Sequence, residues 1–420
     1  MQINSKEKII KHFENGNKSN ELIGVENEKF LFEISSNKRA DYNKIKKVLE
    51  KFQNKFNWIP IKEGENIIAL HHEGKSITLE PGNQIELAGD KLQNIHQVCS
   101  ESYSFQDQLL EICNETGLRI LSVGYDPITK LSEVPNNPKQ RYKIMTEEMP
   151  KKGELSLDMM YHTSGTQINL DYLSEQDFIK KFKIASFLTP LSIALFANSS
   201  LTENKPNGFL SYRSQVWQKT SRGGLPKFFL EDMNFEKYAE FVISMPLLFI
   251  FNNKEHLPPK NYIFKDFMEG KIKELNNNLP NTKDLEIHLS TIFTEVRLKN
   301  YLEIRSLDAC EWDCHCAGPA FFTGILYGNL DESLELIKKW NIDEVLNAYV
   351  EAPKKGLNVE INGKSIFEWS KIFLNISKEG LISRNNINLK KNDETVYLKN
   401  IENILRTKKT KAQETLDNLK

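Results

Sequence analysis

Residues 23–30 read Ile23-Gly24-Val25-Glu26-Asn27-Glu28-Lys29-Phe30, a β-like, largely apolar run carrying two carboxylates two positions apart. On a strand, side chains alternate between faces, so Glu26 and Glu28 point the same way. Two further segments share this character. Glu80 and Glu86 flank Pro81-Gly82-Asn83-Gln84, where Pro-Gly ends one strand and leaves Gln84 and Glu86 on the resuming one. Glu295, Arg297, Glu303 and Arg305 fall together within residues 295–305. Carboxylates gathered on one sheet face repel, by roughly 2 kcal/mol per pair at about 7 Å and an effective dielectric of about 20. A divalent cation reverses that repulsion, and an oxygen-rich set suits Mg²⁺ carrying a nucleotide phosphate. Each segment alone has a bland reading as a solvated strand edge or a surface ladder of Glu/Arg pairs. Their joint occurrence favours one shared site.

Working outward, Asp41–Phe56 places Ile45, Val48, Leu49, Phe52 and Phe56 at helical spacing. Residues 67–70 and 75–79 read as strands joined in a hairpin at His71-His72-Glu73-Gly74. A long helix is expected from about Leu92 to Glu115, closed by Gly117, with a strand over Leu118–Val123. Pro135–Pro138 is loop, Met159–Tyr172 a further strand, and Glu175–Phe196 a buried helix. Asn198–Leu225 is a long Gly/Asn/Ser-rich connection of the kind that often carries function. From about residue 331 to 420 the chain reads as helical, with Arg406–Lys420 a solvated helix. Strands recur from residue 22 to 305 between long helices without a βαβ rhythm. The fold class is therefore α+β with a largely antiparallel sheet, expected as one domain over residues 1–420.

Composition narrows the function classes. The 420 residues carry 56 basic and 57 acidic side chains, a formal charge of −1, which argues against nucleic acid as a partner. The opening residues Met1–Lys8 are polar, and the apolar stretches 184–197 and 241–251 are too short to span a membrane. Five Cys residues make no disulfide framework and point to a reducing cytoplasm.

The chain resembles glutamate–cysteine ligase of the type shared by plants and many bacteria, within the glutamine-synthetase-like carboxylate–amine ligase group. The carriers are Ile23–Phe30, Thr78–Leu87, Leu157–Met160, Gln167–Tyr172, Phe196–Ser199, Lys205–Ser211, Arg213-Ser214-x-x-Trp217, Thr291–Lys299 and Tyr301–Glu303, in order along nearly the whole chain. The resemblance implies a glutamine-synthetase-like catalytic fold. It also implies ATP-dependent joining of the glutamate γ-carboxylate to the cysteine amine through a γ-glutamyl phosphate, the first step toward glutathione. It makes Glu26, Glu28, Glu80, Glu86 and Glu303 the Mg²⁺ ligands, with Glu303 and Arg305 at the transferred phosphoryl group. Arg213 would clamp the glutamate α-carboxylate, a role suited to its fork. Gln84, Gln167, Asn169 and His162 would line the substrate, Trp217 would close over it, and Arg297 and Arg222 would face ATP. The expected partners are small molecules, in a monomer or homodimer.

Three departures from the resemblance stand out. Plant-like relatives carry an Arg where this chain has His162, which weakens or relocates part of the clamp. Residues 217–225 are shorter than in plant members. The redox-switch disulfides of plant members are not supported by the Cys positions. Cys99 and Cys113, fourteen apart on one helix and about 21 Å from each other along it, cannot pair. Cys310-x-x-x-Cys314-His315-Cys316 lacks the second pair a structural zinc site wants. His71-His72 reads as surface, and His288 as a structural residue on a strand-like segment. Alternative readings are a related ligase with a different amine acceptor, or a non-catalytic relative that binds glutamate or nucleotide.

Overall fold

The computed structural model describes residues 1–252, 255–312 and 314–419. Its centre is a nine-stranded sheet of β1 (Ile23–Glu33), β2 (Ile59–Glu63), β3 (Asn66–His72), β4 (Lys75–Leu79), β5 (Ile85–Ala88), β6 (Leu118–Leu121), β7 (Gly165–Leu170), β8 (Val296–Leu298) and β9 (Leu302–Asp308). The order is β8-β9-β7-β1-β5-β4-β3-β2, with β6 also paired to β1. Every pairing in it is antiparallel.

Strict alternation gives this sheet two unlike faces. On one, Val25, Ile168, Leu170, Leu302 and Ile304 pack against helical residues such as Ala320, Phe321 and Ile325. The intervening residues, Glu26, Glu28, Gln167, Asn169 and Glu303, turn to the other face. Truncating one of these core side chains, Ile168 for example, costs about 2–5 kcal/mol. Over β3–β5 the apolar face is covered by α1 (Tyr42–Phe56) and α2 (Ile95–Thr116), with Phe52, Leu49, Leu109 and Ile112 packed against Leu70, Ile77, Ile85 and Leu87. Both helices start at side-chain caps, Asp41 and Asn94, and end at left-handed residues, Asn57 and Gly117.

Several local expectations are corrected. Met159–Tyr172 is not one strand: α4 (Ser156–His162) precedes β7. A continuous apolar run such as Met159-Met160-Tyr161 does not distinguish a buried helix from a buried strand. Glu175–Phe187 and Thr189–Leu195 are separate helices, because Pro190 opens the second and has no N–H to continue the first. The connection after Asn198 contains a short hairpin (201–206) and α5 (Tyr212–Gln218). The C-terminal part is interrupted by a small strand pair at 360–361 and 364–365. Its end is two helices, Lys399–Thr407 and Lys411–Asp417, with Ala412 buried, rather than one solvated helix; Lys420 lies outside the described residues. His288 sits in a helix, α6 (Thr282–Ser290), buried and stacked on Phe264 at 4.4 Å. Two further site elements are α3 (Gln140–Glu148) and the stretch 245–252. Among the described residues no helix is long and apolar enough to cross a membrane.

Candidate active site

Cross-strand register assembles the polar face. Arg297 on β8 lies opposite Glu303 on β9, and Glu303 opposite Asn169 on β7. Gln167 on β7 lies opposite Glu26 on β1, and Glu28 opposite Glu86 on β5, itself opposite Thr78 on β4. Directly paired residues share a face, so a stripe of charged and polar side chains runs across six adjacent strands. Helices α3, α4 and α5, with residues 249 and 290–293, roof this stripe and leave a cavity of about 180 Å³ that opens to solvent. Its lining includes the carboxylates of Glu26, Glu28, Glu80 and Glu86 and the guanidinium groups of Arg141, Arg297 and Arg305.

The carboxylates divide into two kinds. Glu28 accepts from Gln167 Nε2 at 2.7 Å and Gly165 N at 2.8 Å, Glu26 from Asn169 Nδ2 at 2.9 Å, and Glu86 from Thr78 Oγ1 at 2.6 Å. Burial, then the charge of Glu80, pushes the Glu28 carboxyl up to about 7, against the pull of Arg213. Burial and the charges of Glu26, Glu80 and Glu28 raise Glu86 well above the usual carboxylate range. Glu303 is the opposite case. Burial alone would raise it, but Arg297, Lys299 and Arg305 more than offset that and hold it well below the usual range. Arg297 grips it with Nε at 2.9 Å and Nη2 at 2.6 Å, Lys299 Nζ stands 3.1 Å away, and Arg305 Nη1 donates to Oε1.

The remaining residues named from sequence fall into three positions. Gln84, Gln167, Trp217 and Arg305 join the lining. Arg213 lies just behind it, 2% exposed, donating Nη2 to the Arg305 carbonyl at 2.9 Å. Both Arg213 and Arg305 sit over the Trp217 ring, at 5.5 and 5.4 Å. Among the described residues the Nε atoms of Arg213 and Arg305, Trp217 Nε1, Gln167 Oε1 and Asn169 Oδ1 are buried without hydrogen-bond partners, as a site built around a ligand would leave them. Gln84 is a brace as well as a wall: its amide accepts from Gly82 N and donates to the carbonyls of Met160 and Thr163.

Besides Arg213, five residues named from sequence stand outside the lining: Glu303 and Asn169 belong to the stripe on the sheet but not to the cavity wall, and His162, Arg222 and Glu295 make their contacts elsewhere. His162 faces Tyr125, whose hydroxyl is 2.9 Å from Nδ1 and donates to Asp158 at 2.7 Å. Arg222 spends its donors on the Thr291 carbonyl and hydroxyl and on the Pro246 carbonyl. Glu295 accepts from the Tyr349 hydroxyl at 2.9 Å rather than joining the acidic stripe.

Sequence reading missed Arg141, Tyr142, Met145, Met159, Phe249 and Phe293, all in the lining. The pair Lys139/Arg141 just after the Pro135–Pro138 loop was the available signal. Lys139 is buried, its ammonium on the Leu79 carbonyl, and desolvation lowers it to about 8. The cysteine expectation is also corrected: Cys99 pairs with Cys316 and Cys310 with Cys314 as disulfides, leaving Cys113 free and buried. Spacing could not show a bridge between residues 217 apart in sequence. Among the described residues no three His, Cys, Asp or Glu side chains are gathered closely enough to hold a metal ion. The acidic stripe is coupled through its field rather than already drawn together at one point.

Residues 22–419 match glutamate-cysteine ligase family 2. The chain belongs to this family. It is 38% identical over 420 residues to the chloroplastic glutamate–cysteine ligase of Nicotiana tabacum, covering 98% of this chain and 79% of that one. It is 40% identical over 374 residues to the chloroplastic glutamate–cysteine ligase B of Oryza sativa subsp. japonica, covering 87% and 75%. Among solved structures, the glutamate–cysteine ligase of Francisella tularensis in complex with AMP superposes with a TM-score of 0.53 at 12% identity, over 96% of this chain and 85% of that one. That likeness extends the family's fold across a wide sequence distance.

Proposed function

We infer that the chain joins the γ-carboxylate of glutamate to the amine of cysteine, using ATP. The observation that carries the site reading is the coexistence, in one cavity, of four carboxylates with three guanidinium groups. Such a cavity suits a triphosphate brought in with a divalent cation and a second, carboxylate-bearing substrate.

A carboxylate is a poor electrophile. A glutamate γ-oxygen therefore attacks the γ-phosphorus of ATP, the P–O bond to ADP breaks, and an acyl phosphate forms. The cysteine amine then attacks the acyl carbon, inorganic phosphate leaves, and the amine loses a proton. Glu26, Glu28, Glu80 and Glu86 would hold Mg²⁺, which supplies charge neutralisation along the phosphates. The upward shifts of Glu28 and Glu86 support this, since a cation would offset both the burial and the mutual repulsion that cause them. Glu303 already bears three cations, so its role is to set Arg297 and Arg305 against the transferred group. Arg213, with Nε free, takes the glutamate α-carboxylate beside Trp217, and Arg141 offers a second carboxylate clamp from α3. Arg222 supports the ATP side indirectly, by fixing the segment that bears Thr291. Glutamate, cysteine and ATP are all at hand in a cytoplasm, the compartment this reading assigns.

The test is ADP and phosphate release with purified protein, Mg²⁺ and ATP. Release must require glutamate and cysteine together. Release with glutamate and another amine, cysteine being inert, would transfer the assignment to a ligase of different acceptor.

A further inference from the structure

Arg39 lies outside the cavity, between β1 and α1, yet its side chain is only 1% exposed. It donates Nη1 to Asp126 Oδ2 at 2.9 Å and to the Tyr161 carbonyl at 2.9 Å, and Nη2 to the Gly82 carbonyl at 2.7 Å. Its guanidinium carbon sits 4.2 Å from the centre of the Phe30 ring. Each partner belongs to a different segment that builds the site. Gly82 lies in the turn between Glu80 and Glu86, Tyr161 is in α4 beside the lining residues Met159 and Met160, and Asp126 anchors the loop after β6. The Asp126 carboxylate also accepts from the N–H groups of Ile128 and Thr129, and its own N–H donates to the His162 carbonyl.

The turn is fitted to this knot. A Cβ on Gly82 would meet the Tyr161 carbonyl at 2.6 Å and Arg39 Nη2 at 2.9 Å, and Asn83 holds a left-handed backbone at φ 61°. Gln84 closes the circuit from Gly82 back to Met160 and Thr163. The requirement is for one planar group donating in several fixed directions, which guanidinium meets and ammonium does not.

We propose that Arg39 is a positioning residue for ligation: by tying the Pro81–Gly82 turn to α4 it sets where Glu80 and Glu86 stand opposite Glu26 and Glu28. The proposal rests on the reading of those four carboxylates as a divalent-cation site. Loss of Arg39 removes no lining side chain but lets the Glu80–Glu86 limb drift relative to β1.

Two full-length variants test it, Arg39→Lys and the charge-free pair Arg39→Met/Asp126→Leu, the second avoiding an unpaired buried aspartate. Mn²⁺ binding is read by electron paramagnetic resonance without nucleotide, alongside kcat, KM for cysteine, thermal midpoint and amide exchange over residues 80–84. Both variants are expected to fold with near-native midpoints, bind Mn²⁺ about tenfold more weakly, lose at least about tenfold in kcat, and exchange faster at the turn, with KM for cysteine unchanged. Native Mn²⁺ affinity and kcat in either folded variant overturns the proposal. If the wild-type protein itself binds no Mn²⁺ and Glu86→Gln remains fully active, the cation reading fails separately. The kcat and the exchange at the turn then decide on Arg39 alone: unchanged values refute it, and lower kcat with faster exchange upholds it.

Discussion

Replacing Glu303 with glutamine isolates one charge in a cluster whose geometry is fully specified. Glu303 is 0% exposed, and Arg297, Lys299 and Arg305 all converge on its two oxygens. Glutamine keeps the volume but leaves the buried cations without their anion. Removing one partner from a buried ion pair costs about 3–5 kcal/mol. Unfolding entropy near about 2.1 cal/mol/K per residue, over 420 residues, amounts to about 0.9 kcal/mol/K, so the midpoint should fall by about 3–6 °C. The control is Glu26→Gln, at a half-buried position where Asn169 Nδ2 can donate equally well to an amide oxygen; its midpoint should move by less than about 1 °C. Because the folded-state pKa of Glu303 is depressed, its stabilisation is present above the unfolded value of about 4.3 and lost as pH falls through the folded one. The gap between wild type and Glu303→Gln is therefore full at neutral pH and narrows in acid. Differential scanning calorimetry without nucleotide, at one scan rate and at neutral and acidic pH, measures both effects. Turnover should be lost in both variants. Equal midpoints for wild type and Glu303→Gln, or an equal drop in Glu26→Gln, would refute the electrostatic account of Glu303.

The other expectations concern the cavity. Glu28, raised to about 7 when folded, contributes stability that is present below about pH 4.3 and lost as pH rises through 7. Cation-free protein should lose about 4 kcal/mol at most from this group across that window, and chemical denaturation of Glu28→Gln should show a flatter pH profile. Added Mg²⁺ should steady the wild type above pH 7 and leave Glu28→Gln little changed, as a thermal-shift series would report. Gly165→Ala puts a methyl group at 2.6 Å from Arg213 Nη2, so KM for glutamate should rise by about tenfold while KM for ATP holds; unchanged glutamate kinetics would remove Arg213 from the clamp. Trp217→Leu withdraws the ring beneath Arg213 and Arg305, and kcat/KM for glutamate should fall by at least about fivefold, a cation–π loss of about 1 kcal/mol, as initial-rate kinetics will show.

Where sequence reading succeeded, a period of two carried the information. Glu26 and Glu28, and Glu303 and Arg305, stand two apart on strands, so the shared face of each pair followed from spacing; Gln167 and Asn169 came from the family resemblance, and register on three adjacent strands brought the pairs together. The C-terminal end of α2 was equally legible, because Gly117 declares itself locally. The start of the expected strand at Met159 failed for the converse reason: a short apolar run such as Met159–Tyr161 takes its conformation from its surroundings. Arg141 and Arg39 escaped notice because a lone cation on a helix or loop looks like surface until the fold buries it. Arg222 looked like a ligand-binding cation, and only the carbonyls of Pro246 and Thr291 reveal what it holds. Cys99 and Cys316 meet through tertiary structure, which no local spacing encodes.

The two-faced sheet also limits how this protein can change over time. Adding or deleting a single residue inside β1, β7 or β9 would exchange the hydrocarbon side chains for the ionic ones along the rest of that strand, losing core and chemistry in one event. Length variation is therefore confined to connections outside these strands, such as 122–139 and 198–211, above a floor whose residue count is frozen.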